Sequence, residues 1–536
     1  MKAGCLPFSQ IPHTTQLFAD FLSAYPKVWQ FYPRPAYIQQ WLTEEAPRIR
    51  YDAERRERVS AILQRQNQSW GASAQTLENI GRLRHGAMAA VTGQQVGLFG
   101  GPLFSIYKAL TAVKLADLAT RSGVDCVPVF WLATEDHDLA EVNQASIPGP
   151  DASLQRFAAV TQAPPDTPVG SITFGDEIQP LLQQVAELLG DSEITATLRD
   201  SYAPGQSFGG AFARLFANLF GEWGVILLDA SDPELHSVAA RIYRAAIERA
   251  AELDDALLAR GNELDAAGYH QQVKVTPSSA LLFTLRHGAR VGVHRQSNGD
   301  SFAVESEKIS QADLLSRITS APQDFSPNVL LRPVVQDYLL PTLAYTGGAA
   351  EVAYFAQAAV VYEKLLGRTT PVVPRFSATL VEPKLRSLLD RYGLSLPDLF
   401  HGPESLREQL AASTLPSELR SAFDNTDASL TKSLGIIRAA LERLDKTLAD
   451  AADNAESKMR HQLEGLRARA ARAELRQTEV LGRHAQLLSN ALYPNKTLQE
   501  REIAGIHFLA RYGKELLHNL YDAIHADCLD HQVISL

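Results

Sequence analysis

One stretch limits the possible folds more than any other. Residues 87–93, AMAAVTG, form a short unbroken apolar run that stops at a glycine. A glycine-rich turn follows. Residues 102–123, PLFSIYKALTAVKLADLATRSG, then place apolar residues at helical spacing and stop at Gly123. Residues 126–134, CVPVFWLAT, are a second continuous apolar run. Strand, turn, helix, strand is a βαβ unit. Strands without polar alternation belong to a parallel sheet covered on both faces. The theme returns in AFARLFANLFGEWG followed by GVILLDAS, and in EVAYFAQAAVVYEKLLG followed by TPVVPRFS. The predicted core is therefore α/β, a Rossmann-like, doubly wound parallel sheet.

Three segments flank or interrupt this core. Residues 1–85 read as mostly helical, with aromatics from Phe18 to Trp41 broken by Pro26, Pro33 and Pro35. That aromatic density fits packing against a larger domain better than a ligand surface. Within the core, 86–390, two insertions are expected. One at about 145–205 is rich in Pro and Asp. The other, at about 265–320, alternates in ALLFTLRHGARVGVHR and turns at Ser297–Asp300, a small β-rich excursion. Residues 391–536 form a third, helical part. Leu430, Leu434, Ile437, Leu441, Leu444, Leu448, Ala451 and Ala455 alternate four-three spacing, a heptad seam. One long helix and an antiparallel pair broken near Ala451–Asn454 both satisfy that pattern.

Composition excludes several classes. With 51 Lys+Arg against 61 Asp+Glu the net charge is −10, and no basic block is present, which argues against general nucleic-acid binding. The apolar windows are strand-length, short of the ~20 residues of a membrane span, and no secretory leader is expected. Cys5, Cys126 and Cys528 form no CxxC and are too few for a disulfide framework, so the chain reads as cytoplasmic.

Four segments carry candidate chemistry. Thr92–Leu103, TGQQVGLFGGPL, sits between the first strand and its helix, where an open α/β sheet binds ligands. Gln94, Gln95 and Gly97, Gly100 and Gly101 are the residues of interest, with Lys108 further into the helix. The run matches neither GxGxxG nor the P-loop, and a tight packing turn is the plainer alternative. Glu135, Asp136, His137 and Asp138, with Glu141 and Asn143 after them, follow the second strand directly. Such a cluster supplies a general base or binds an amine; adjacent residues point apart, so no metal site is expected. Tyr345–Tyr354, with Gly347, Gly348, Glu351 and Tyr354, again sets a glycine pair before a helix; with Arg332, Gln336 and Asp337 before it, the segment would close the pocket from the other side of the switch point, and the alternative there is an ordinary helix start capped by Thr346. Tyr493–Arg501, YPNKTLQER, closes the heptad region and reads most simply as a helix connection.

Taken together, TGQQVGLFGGPLFSIYKALTAVKLA, PVFWLATEDHDLAEVN, GGAAEVAYFAQ and YPNKTLQER closely resemble the bacillithiol-biosynthesis cysteine-adding enzyme family, BshC. The match runs in order over nearly the whole chain. The resemblance implies a core related to class I aminoacyl-tRNA synthetases and pantothenate synthetase, connective-peptide insertions, and a coiled coil that makes a homodimer. It implies addition of L-cysteine to the amino group of glucosaminyl malate, with ATP or ADP and activation of the cysteine carboxylate. Gln94, Gln95 and the Gly97–Gly101 amides would then stabilise anionic groups. They stand where the synthetases carry HxGH, and no histidine is present, so acyl-adenylate and acyl-phosphate both stay open. Asp136, His137 and Asp138 would orient the amine or accept its proton. Glu351 and Tyr354 would complete the pocket. Lys384, Tyr493, Asn495, Gln499 and Arg501 would form a separate nucleotide site. A catalytically silent nucleotide-binding scaffold and a metal-dependent hydrolase built on Glu135–Asp138 are the competing readings.

Overall fold

The computed structural model describes residues 2–296, 301–414, 417–445, 448–475, 479–525 and 528–536. The expected turn at Ser297–Asp300 lies outside the described residues. Two compact units emerge. The first comprises Met1–Ile147, Gln155–Thr379 and Glu500–Val533; the second comprises Pro148–Leu154, Leu380–Gln499 and Ile534–Leu536.

The first unit is built on five parallel strands: β1 (Met88–Gln94), β2 (Cys126–Leu132), β3 (Ile226–Asp229), β4 (Thr342–Gly347) and β5 (Val372–Pro374). Their order is β5-β4-β1-β2-β3, and every pairing is parallel. The chain moves outward from β1 through β2 to β3, then returns to lay β4 on the other side of β1. That reversal is the topological switch point at which such sheets open a crevice beyond their carboxyl ends.

Burial explains the unbroken apolar runs. Ala89, Val91, Val127, Val129 and Trp131 face one hydrophobic cluster, whereas the intervening Ala90, with Cys126 and Ala344, faces another. Successive strand side chains point to opposite faces, and here both faces are covered. Helix α1 (Phe104–Arg121) covers one through Leu115, Ala116 and Ala119. On the other lie α3 (Pro233–Glu248), following α2 (Phe208–Phe220) in the chain, and α4 (Ala349–Leu366).

The N-terminal segment protects an edge. Asn67, at the end of helix Ala53–Ser69, accepts from Leu227 N at 3.0 Å and donates to Leu227 O at 2.8 Å. A side-chain amide thus stands where another strand would otherwise pair with β3. Phe18, Phe21, Phe31, Tyr32 and Trp41 are buried, as packing aromatics should be, and only Trp29 among this group is strongly exposed.

The second insertion is the β-rich excursion expected. Strands Ser279–Arg286, Ala289–Arg295, Ser301–Val304 and Glu307–Ser310 form an antiparallel meander, and Phe325–Pro327 pairs alongside the first of them. The first insertion holds short strands Gln144–Pro148 and Leu154–Ala158 and helices Ile178–Leu189 and Glu193–Ser201.

In the second unit the heptad region is an antiparallel pair, α5 (Ser417–Leu444) and α6 (Leu448–Leu475). Arg438 meets Asp453, Arg460 meets Asp427 and Arg467 meets Asp424, so the ion pairs run in opposite senses along the two helices. The interruption falls between Leu444 and Leu448, a few residues before the expected break. The seam is also narrower than the spacing suggests: Leu434 is buried, but Ile437 and Leu444 are 49% and 80% exposed.

Candidate active site

The crevice beyond β1 and β4 is a cavity of about 630 Å³, within the range of small-molecule sites. Gly93 and Gln94 reach it from β1, Trp131 from β2 and Tyr345 from β4; Glu135 and Asp136 follow β2, and Gly348, Glu351 and Tyr354 begin α4. At position 93 a Cβ would stand 3.2 Å from the Trp131 Cβ, so the glycine lets β1 lie close against Trp131.

The turn between β1 and α1 is held from within. Gly100 and Gly101 adopt φ of 86° and 71°, conformations that favour glycine. Gly97 N donates to Gln95 O, Gly100 N to Gly97 O and to the Tyr202 hydroxyl, Gly101 N to Leu98 O and Leu103 N to Ile503 O. The glycine amides are therefore already paired, contrary to the sequence expectation that they hold an anion. Their contribution is to aim Gln94 and Gln95 at the crevice.

Lys108 lies one turn into α1 and points back beneath β1. Its Nζ donates to Gly93 O and Gln94 Oε1, each at 2.8 Å, and meets Glu351 Oε2 at 2.6 Å. Glu351 also accepts from Gly348 N at 2.8 Å and from the Tyr345 hydroxyl. It thus caps α4 in the manner of the acidic half of a capping box. Gly348 holds the cap position, and Thr346, the sequence's candidate, lies within β4. Burial pulls Lys108 down to about 8 against the attraction of Glu351. Burial also opposes the Glu351 carboxylate, but Lys108, Tyr345 and Gly348 outweigh it and keep its pKa below the ordinary value. This pair ties β1, α1 and α4 together at the cavity floor.

The acidic run after β2 divides into separate roles. Glu135 enters the cavity, and its Oε1 lies 3.3 Å from His236 Nε2, whose Nδ1 is 3.1 Å from the Tyr243 hydroxyl. Burial pushes Glu135 up to about 8, with Arg290 and Arg332 opposing the shift and Asp229 adding to it. Burial takes His236 down to about 4, so the contact at neutral pH involves a neutral imidazole. Asp136 accepts from Gln95 Nε2 at 2.7 Å and from His137 N at 2.7 Å. Gln95 Nε2 also reaches Glu141 Oε2 at 2.9 Å. His137 contacts Arg290, with its Nδ1 3.3 Å from a guanidinium nitrogen, but does not line the cavity. Asp138 caps the short helix Leu139–Val142, and Asn143 follows it as the C-cap.

Two of the cavity's cations, Arg290 and Arg375, carry no signal in the sequence. Arg290 and Phe283 come from the second insertion, and the Arg290 guanidinium lies over Phe283 at 4.0 Å. Arg290 donates to Ser326 and to Pro327 O. Arg332 donates to Gln336 and the Tyr354 hydroxyl at 3.1 and 2.9 Å. Among the described residues neither makes an ion pair with a carboxylate. Arg375 is paired with Glu500 at 2.6 Å; Glu500 also accepts from Ser377 and Ala378 N.

A second cavity of about 460 Å³ shares Gln94, Gln95, Phe104 and Arg501 with the first and adds Gly97, Gly101, Glu141, Arg156 and Glu502. The Arg156 and Arg501 side chains carry no hydrogen bond or ion pair among the described residues, and the Arg501 guanidinium lies 6.0 Å from the Phe104 ring centre.

The remaining expected residues are placed elsewhere. Gly100 is buried against Leu215 and Phe216, and Gly347 ends β4. Lys384, Tyr493, Asn495 and Gln499 belong to the second unit. Gln499 is an internal brace. It accepts from Leu380 N and donates to Leu380 O and Ala491 O, so its amide is unavailable to a nucleotide. Tyr493 packs at a tilt against Phe400, and Lys384 is exposed at the start of helix Pro383–Tyr392. Among the described residues no group of three or more His, Cys, Asp or Glu is placed to hold a metal ion. No described helix is long and apolar enough to cross a membrane.

Comparison with known proteins agrees along the whole chain. "Bacillithiol biosynthesis BshC, N-terminal Rossmann-like domain" matches residues 1–376, and "Bacillithiol biosynthesis BshC, C-terminal coiled-coil domain" matches residues 378–536. A Koribacter versatilis protein named "Putative cysteine ligase BshC" is 51% identical over 534 residues, covering 100% of both chains. Proteins of the same name are 38% identical in Solibacter usitatus, over 100% of both chains, and 33% identical in Salinibacter ruber, over 97% of this chain and 96% of that one. With its parallel switch-point sheet, its antiparallel helical pair and these full-length matches, the chain belongs to the BshC family of bacillithiol biosynthesis.

Proposed function

We propose that this protein is a ligase that joins the carboxylate of L-cysteine to the amino group of glucosaminyl malate. The relatives' names supply the cysteine and the ligation. The observation that carries the acceptor is the presence in one cavity of Glu135 and Asp136 with Arg290 and Arg332, neither of which makes an ion pair among the described residues. Guanidiniums without carboxylate partners match a dicarboxylate such as malate. The acidic pair matches an amine.

Amide formation requires the attacking amine to lose a proton. Glu135 is the residue suited to accept it: it enters the cavity, its burial tunes it near the working pH, and Arg290 and His236 fix its surroundings. Asp136, fixed by Gln95 and the His137 amide, orients the amine. Lys108 and Glu351 hold the floor on which Gln94 sits.

A nucleotide would supply the activation by turning the cysteine carboxylate into a mixed anhydride. Arg156 and Arg501 in the second cavity fit its phosphates, being guanidiniums without a hydrogen-bond or ion-pair partner among the described residues, beside the shared wall. The exposed Ile437 and Leu444 on the helical pair fit a homodimer formed by a second copy.

Calorimetric titration with glucosaminyl malate tests the acceptor assignment. Arg332→Met and Arg290→Met should each weaken binding at least about tenfold, as loss of a charge-assisted hydrogen bond predicts. Wild-type affinity in both variants refutes the assignment.

A further inference from the structure

The three cysteines look inert in the sequence, but the fold brings two of them together. Cys5 Sγ and Cys528 Sγ lie 3.1 Å apart although 523 positions separate them in the chain. Cys5 is exposed on strand Lys2–Leu6, and Cys528 is half-buried just before strand His531–Ser535, the neighbour of that strand in one sheet. We propose that Cys5 and Cys528 form a thiol–disulfide exchange site that takes low-molecular-weight disulfides. This inference is independent of the ligase reading.

The chemistry follows from exposure. The Cys5 thiolate attacks one sulfur of a small disulfide RSSR, forming Cys5–S–SR and releasing RS⁻. The Cys528 thiolate then attacks the Cys5 sulfur, forming the protein disulfide and releasing a second RS⁻. The protein loses two protons and two electrons, and the small disulfide becomes two RSH. Burial, with Cys5 alongside, pushes Cys528 up to about 11, which makes the exposed Cys5 the first thiol to attack and Cys528 the resolving one. Cys126 is buried in β2, and burial raises its pKa to about 12. It serves as an internal control. Disulfides of this kind in reducing compartments are characteristically transient and redox-sensing. The bond would join the N-terminal strand to a segment three residues from His531, whose ring contacts Ser377 at 2.7 Å and Thr379 at 2.8 Å.

The test uses the full chain, equilibrated with oxidised glutathione and then with dithiothreitol. The expected product of oxidation is lighter by two hydrogens, with a Cys5–Cys528 cross-linked peptide and Cys126 still free. The thermal midpoint should rise, and dithiothreitol should reverse both changes. Cys528→Ser should stop at a glutathione adduct on Cys5, whereas Cys126→Ser should behave as wild type. Two glutathione adducts on the wild-type protein, or two surface thiols that stay free under every oxidising condition, would overturn the proposal.

Discussion

Glu135 offers the sharpest test of the chemistry. Its carboxyl is held at about 8 instead of 4.5, because burial penalises the anion more than Arg290 and Arg332 favour it. Below about 8 the group is protonated and cannot accept a proton. Above it the carboxylate forms, so turnover should climb with pH through a midpoint near 8. Glu135→Gln keeps the shape but removes the base, and a general base contributes about 10²–10⁴-fold. kcat should fall by that factor while KM for cysteine holds. The substrate amine also titrates, so the midpoint must be assigned by moving it. Arg290→Met removes the larger of the two favourable charges and should shift the midpoint upward by about one pH unit. Asp229→Asn removes a repelling charge and should shift it downward. The assay is kcat measured between acid and alkaline pH for the four proteins. A midpoint unmoved by Arg290→Met, together with turnover in Glu135→Gln within about tenfold of wild type, refutes the assignment.

Three other outcomes follow from the same structure. Lys108→Met and Glu351→Gln each break a buried pair and should cost about 3–5 kcal/mol in urea unfolding, with the double variant well below their sum; additive losses below about 1 kcal/mol each would contradict the floor's role. Glu500→Ala leaves Arg375, Ser377 and Ala378 N without their acceptor and should destabilise the first unit by a similar ~3–5 kcal/mol, checked by thermal unfolding. Ile437→Asp with Leu444→Asp should convert a dimer to a monomer in sedimentation velocity while leaving helix content unchanged, since both side chains are already exposed in the single chain.

Local pattern carried the fold. Val91, Val129 and Leu228 lie in runs that only a sheet buried on both faces requires, and Gly93 marks where β1 meets Trp131. The same logic found Glu135 and Asp136, because residues directly after a central strand must stand at the crevice. Arg290 and Arg375 carried no such mark. Each approaches the cavity from a different element far away in sequence, and an arginine inside a strand of alternating pattern looks like any solvent-facing residue. Lys108 stands out in the sequence, but only its position beneath β1 shows that it holds Gln94 and Glu351. The heptads overstated the seam: period alone marks Ile437 and Leu444 as inward, whereas a short antiparallel pair buries only the stripe facing its partner. Cys5 and Cys528 are neighbours only because strands from opposite ends of the chain share a sheet.

The central claim is direct ligation, and one reaction tests it. Purified full-length protein is mixed with L-cysteine, glucosaminyl malate and ATP, and the products are followed by mass spectrometry. The account predicts an amide joining cysteine to the glucosamine nitrogen, formed with consumption of the nucleotide and lost in Glu135→Gln. Glucosaminyl malate left unchanged with every nucleotide and divalent metal tried, by protein that still binds it, would contradict the account.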